Sequence, residues 1–104
     1  MKAHGYLDRA KELVTGDRAR QHGDKLDNHE NIAALWDGYV RRAIFMRHRL
    51  HVPSGAIGPE DAANMMELLK VARRLAGEYN ADDYTDGAGQ AACAGEIASR
   101  LREH

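Results

Sequence analysis

Cysteine, proline and aromatic side chains are scarce in this chain, and each shortage excludes something. The single cysteine, Cys93, has no partner for an internal disulfide, which rules out two-cysteine zinc motifs and fits a reducing, cytosolic compartment. No apolar run approaches the roughly 18–20 residues that span a bilayer. The opening Met1-Lys2-Ala3-His4-Gly5-Tyr6 lacks the apolar stretch of a secretory signal. An excess of one charge sign is missing too. Fifteen Lys and Arg stand against 16 Asp and Glu, a net charge of −1, which argues against a nucleic-acid binder held by phosphate neutralisation. Strand-type alternation, internal repeats, a glycine-rich phosphate loop and a serine-centred elbow are all absent.

What is present suits a small helical domain. With 104 residues, 43% of them apolar and 30% charged, the chain reads as one domain spanning residues 1–104. Both prolines, Pro53 and Pro59, fall in one short break. Downstream, Pro59-Glu60-Asp61 reads as a helix start, and Ala62, Met65, Met66, Leu69, Ala72 and Ala76 recur at helical spacing. That predicts a helix over 59–77 closed by Gly77. Upstream, Ile32, Leu35, Trp36, Tyr39, Val40, Ala43, Phe45, Met46 and Leu50 predict a helix over 27–50, capped by Asp27 or Asn28.

A short helix over 6–14 precedes turns at Thr15-Gly16-Asp17 and His22-Gly23-Asp24. A last helix runs from Asn80 through Ala98, with a small-residue strip at 84, 88, 91, 95 and 98 for close helix approach. The expected fold is an all-α bundle of three main helices plus a short N-terminal one. A modest core predicts pairing of two protomers along the long second helix.

The carboxylates of Asp83 and Asp86, three apart, share one helical face. They can share a hard divalent cation, or cap the helix and complement its dipole. Lys70 and Arg73, one turn apart, can grip phosphates, or form a solvated face with Glu67. In an antiparallel bundle, Asn28, Glu30, Lys70, Arg73, Asp83 and Asp86 would ring one mouth. His48 and His51 make a poor metal pair beside Arg47 and Arg49, while His22 and His29 lie nearer that mouth. Cys93 has no base beside it.

The runs Gly23-Asp24, Asn28 to Trp36, Glu60 to Arg73 and Asp82 to Gly89 look like a group of small phage and prophage proteins. That group resembles the MazG-like, all-α nucleoside triphosphate pyrophosphohydrolases, which cleave NTP or dNTP to monophosphate and pyrophosphate with magnesium. Those enzymes carry Glu-x-x-Glu on one helix and Glu-x-x-Asp on the next. Asp83-x-x-Asp86 could stand for the second element. For the first, Asp27-x-x-Glu30 has only the spacing, and Asn64-x-x-Glu67 carries one amide.

The resemblance implies Glu30, Asp83 and Asp86 as ligands of Mg2+ (or Mn2+), and Lys70 and Arg73 as stabilisers of developing phosphoryl charge. It also implies a nucleotide base near Asn28, Trp36 or Tyr84. Two alternatives stand beside the hydrolase: a nucleotide binder without turnover, and a helical interaction module using the Trp36, Tyr39, Phe45 face.

Overall fold

A computed structural model of the chain describes residues 1–16 and 24–103, and among them four α-helices and no strand. Helix α1 spans Ala3–Thr15, α2 Lys25–His48, α3 Pro59–Leu75 and α4 Ala81–Arg102. The first helix is thus longer than expected. The expected turns reach into positions 17–23, outside the described residues.

Local hydrogen bonds set the helix ends. Asp24, rather than Asp27 or Asn28, caps α2: its carboxylate accepts from the Asp27 N–H at 3.3 Å, so the helix begins before residue 27. The same side chain meets Arg100 at 2.9 Å. The Arg100 hydrogen bond first, and then the Asp27 amide, hold Asp24 below the usual carboxylate range. Helix α2 stops at His48 because Arg49 turns left-handed, with φ 57°. At the start of α3, the Asp61 carboxylate accepts from the Gly58 N–H at 2.9 Å. Ala76 caps its end, and Gly77 follows at φ 79°, one position beyond the cap. Asn80 caps α4 by accepting from the Asp82 N–H at 3.0 Å, which leaves Asp82 and Asp83 free of that task.

Helix α4 is central. It runs antiparallel to α3: Glu60 meets Arg102 at 3.5 Å at one end, and Lys70 meets Asp86 at 3.1 Å towards the other. Helix α1 packs on another side of α4, where Gly89 faces Val14. The first turn of α2 lies against the start of α3 and the end of α4. There Leu26 packs on Ala63, Ala94 and Ile97, and Lys25 approaches Glu96 at 3.7 Å.

Among the described residues, the buried apolar side chains are five alanines (Ala10, Ala33, Ala62, Ala63, Ala94) and one large one, Ile97. Along α4, Asp83, Gly87, Ala94 and Ile97 are buried on one face, and Thr85 and Gly89 are buried on another. The expected strip has the right period and the wrong phase. One residue of offset turns a helix face by about 100°, so Tyr84, Ala91 and Gly95 are exposed. The same correction applies to α2, whose buried positions are His29, Ala33 and Asp37 while Leu35 and Tyr39 stay 76% and 70% exposed.

Past its middle, α2 is faced by the returning segment 49–58. The Asp37 carboxylate accepts from the N–H groups of Ile57 at 2.9 Å and Gly55 at 3.1 Å, and Arg41 Nε donates to the Val52 carbonyl at 2.9 Å. These bonds bring Pro59 back beside α2, where α3 begins.

Candidate functional site

The antiparallel α3–α4 pair determines which of the candidate side chains meet. At the end of α3 and the start of α4 lies an open cavity of about 540 Å3, lined by Ala72, Arg73, Ala76, Glu78, Asn80 and Asp83. Arg73 and Asp83 therefore share one site, as expected from their positions in the chain. Lys70 and Asp86 form an ion pair beside it, both side chains largely shielded from water. Asp86 is engaged by a cation and Asp83 is buried in the cavity wall.

Asn28, Glu30 and Trp36 lie elsewhere. The start of α2 packs on the far end of α4, near Glu96 and Arg100. Ten residues of helix, about 15 Å, separate Asp86 from Glu96. The six-residue mouth therefore splits, because α2 enters beside the end of α4 and not beside its start. Among the described residues, no three His, Cys, Asp or Glu side chains gather at metal-holding distance. Glu30 does not join Asp83 and Asp86.

Several residues at the site have no counterpart among the expected ones. Arg74 reaches the Asp83 carbonyl with Nη2 at 3.0 Å and Nε at 3.3 Å, and its guanidinium lies 4.6 Å from the centre of the Tyr84 ring. A signal for it existed: Lys70 and Arg74, four apart, share the face that meets α4, whereas Arg73 turns towards the cavity. Gly87 leaves room for this guanidinium, which a Cβ there would strike. Tyr84 also meets the rings of Tyr6 and Tyr79 at 5.9 and 6.0 Å, and the Tyr6 and Tyr79 hydroxyls share a hydrogen bond. The first helix and the α3–α4 connection thus both contribute to the site. No periodicity links residues so far apart.

The remaining candidates are quiet. Cys93 is half-buried, and burial pushes its thiol above the usual range, which suits an inert side chain. The buried His29 bonds the Lys25 carbonyl through Nδ1 at 2.7 Å. None of the described helices is long and apolar enough to cross a membrane.

These features define a small all-helical protein with a charged, aromatic-flanked cleft between two antiparallel helices. The chain belongs to the family described as a domain of unknown function, DUF6378, whose model matches residues 5–98. It is similar to the Gene 55 protein of Mycobacterium phage L5, 41% identical over 85 residues, covering 82% of this chain and 47% of that protein. The Gene 55 protein of Mycobacterium phage D29 is 33% identical over 91 residues, with 88% of this chain and 52% of that protein covered. The chain thus spans about half the length of these relatives. No solved structure matches it.

Proposed function

We propose that the cleft between the end of α3 and the start of α4 binds a nucleotide by its phosphates. The observation that carries this reading is the cavity in which Arg73 and Asp83 meet, flanked by Lys70, Arg74 and Tyr84. Its volume of about 540 Å3 suits a small molecule. Arg73 supplies a planar fork matched to phosphate oxygens, and Lys70 a second positive charge. Tyr84, 41% exposed, offers a ring for the base, with Arg74 already stacked against it. The natural setting is the host cytoplasm of a phage, by similarity to the two mycobacteriophage proteins.

A second reading, MazG-like hydrolysis of NTP or dNTP to monophosphate and pyrophosphate, is favoured by Asp83 lying in the same cavity as Arg73. The donors here do not make a cage for a resident ion, because Glu30 is remote and Asp86 is paired with Lys70. The Asp83 carboxylate in the cavity wall suits contact with Mg2+ or Mn2+ already carried by the triphosphate, since Mg2+ commonly takes one or two carboxylates and keeps phosphate and water for the rest. Lys70 and Arg73 would then neutralise charge developing on the phosphoryl oxygens.

The test is a thermal-shift and product screen across all NTPs and dNTPs, with Mg2+ and with Mn2+. Binding is expected as a rise in melting temperature that disappears in Arg73→Ala. No shift with any nucleotide overturns the proposal. Monophosphate formation lost in Asp86→Asn selects hydrolysis; a shift without product selects the binder.

A further inference from the structure

A second charged cluster lies at the other end of α2, in the region bridged by segment 49–58. Between Asp37 and Glu60 the chain contains no acidic residue, while Arg41, Arg42, Arg47, Arg49, His48 and His51 all fall there. The near-neutral total charge conceals this concentration. Three of these side chains gather on one ring. The Arg42 and Arg49 guanidinium carbons lie 5.6 and 5.3 Å from the centre of Phe45, and the His51 ring lies at 4.7 Å. Arg41 is occupied by the Val52 carbonyl and approaches Asp37 at 3.8 Å. Among the described residues, Arg42 and Arg49 meet no carboxylate. A cavity of about 340 Å3 opens beside them, lined by Arg41, Arg42, Phe45 and His51 together with Leu50 and Val52.

Two features separate this cluster from ordinary helix-end charge. The dipole favours cations in the last turn, which accounts for Arg47 and His48 but not for Arg42, more than a turn earlier. Arg49 also holds φ 57°, a left-handed conformation that glycine adopts at lower cost. Arginine is thus a poor residue for stability at that position, and its guanidinium is delivered to the Phe45 ring all the same. Arg42 and Arg49, held together beside this cavity with no carboxylate of their own among the described residues, are complementary to an anion, and guanidinium forks match phosphate oxygens. Planar guanidinium and phenyl groups in turn suit a stacked ring.

We propose that the cavity lined by Arg41, Arg42, Phe45 and His51, with Arg49 beside it on the Phe45 ring, binds a phosphate bearing an aromatic base, the unit shared by free nucleotides and single-stranded nucleic acid. The site stands apart from Lys70 and Arg73 and does not depend on the nucleotide reading of the α3–α4 cleft.

The test is fluorescence anisotropy with a labelled 20-nucleotide thymidine strand, with the unlabelled strand, thymidine monophosphate and polyglutamate as competitors. Saturable binding of the strand is expected, weakening at least tenfold in Arg42→Ala/Arg49→Ala and unchanged in Lys11→Ala, which removes an exposed cation of α1. Competition by the monophosphate at equal nucleotide concentration identifies a mononucleotide site; competition by the strand alone identifies a single-strand site. Arg49→Gly separates function from folding: its melting temperature should match or exceed the parent while its affinity falls several-fold. Absence of binding, equal competition by polyglutamate, or full affinity in the double variant overturns the proposal.

Discussion

Asp37 shows how one buried carboxylate organises a turn. It accepts two backbone N–H bonds, from Ile57 and Gly55, and these, in that order, hold its carboxyl below the usual range. A depressed folded pKa contributes stability above the unfolded value, about 4, and loses it as pH falls through the folded value. Asp37→Asn should therefore melt earlier than the parent at pH 7, with the gap narrowing below about pH 4; a gap independent of pH would refute the assignment. Gly87 provides the complementary case of a residue chosen for what it leaves empty. Alanine there gains about 1 kcal/mol of helix propensity, but its Cβ expels the Arg74 guanidinium from the Asp83 carbonyl, a charged hydrogen bond worth about 1.5–3 kcal/mol. Gly87→Ala should lose about 0.5–2 kcal/mol in denaturant titration, and any nucleotide-induced melting shift should shrink with it.

At the scale of elements, the helices themselves were readable from the chain, and their rotation was not. Period 3.6 placed α2, α3 and α4 to within a few residues, and Pro59 marked a helix start correctly. The phase failed on α2 and α4 because apolar side chains outnumber the inward positions. Burial then went to Ala33, Ala94 and Ile97, which permit close approach, and left Leu35, Tyr39 and Tyr84 outside. That Arg73 and Asp83 line one cavity was legible, since an antiparallel hairpin brings the end of one helix to the start of the next. Asn28 and Glu30 were misplaced because α2 enters beside the end of α4. Gly77, at φ 79°, lets the chain leave α3; Gly77→Ala should lower stability by about 1 kcal/mol, measured by chemical denaturation.

For the whole molecule, the Cα radius of gyration is 15.7 Å, against about 13 Å for a compact chain of this length. Leu35, Tyr39, Leu68, Leu69 and Leu75 are all half or more exposed. An elongated protomer with a thin alanine core and large exposed apolar side chains gains by burying them against a second copy. We propose a homodimer, with a sedimentation mass twice 11.6 kDa. Leu35→Asp/Tyr39→Asp should shift it to monomer; an unchanged mass would place the contact elsewhere, and a monomeric parent would remove the idea.

The residue pattern by itself determined the helical class, the break around Pro53 and Pro59, the lack of a disulfide within these 104 residues and the two charged pairs, Lys70 with Arg73 and Asp83 with Asp86. All of these depend on composition or on spacings within one element. Tertiary structure alone decided that Lys70 meets Asp86, that Arg74 crosses to the Asp83 carbonyl, that Tyr6 joins Tyr79 and Tyr84, and that Arg42 and Arg49 converge on Phe45. Three of these depend on how separate elements dock. The fourth turns on the left-handed backbone at Arg49, a conformation that neither periodicity nor charge count encodes.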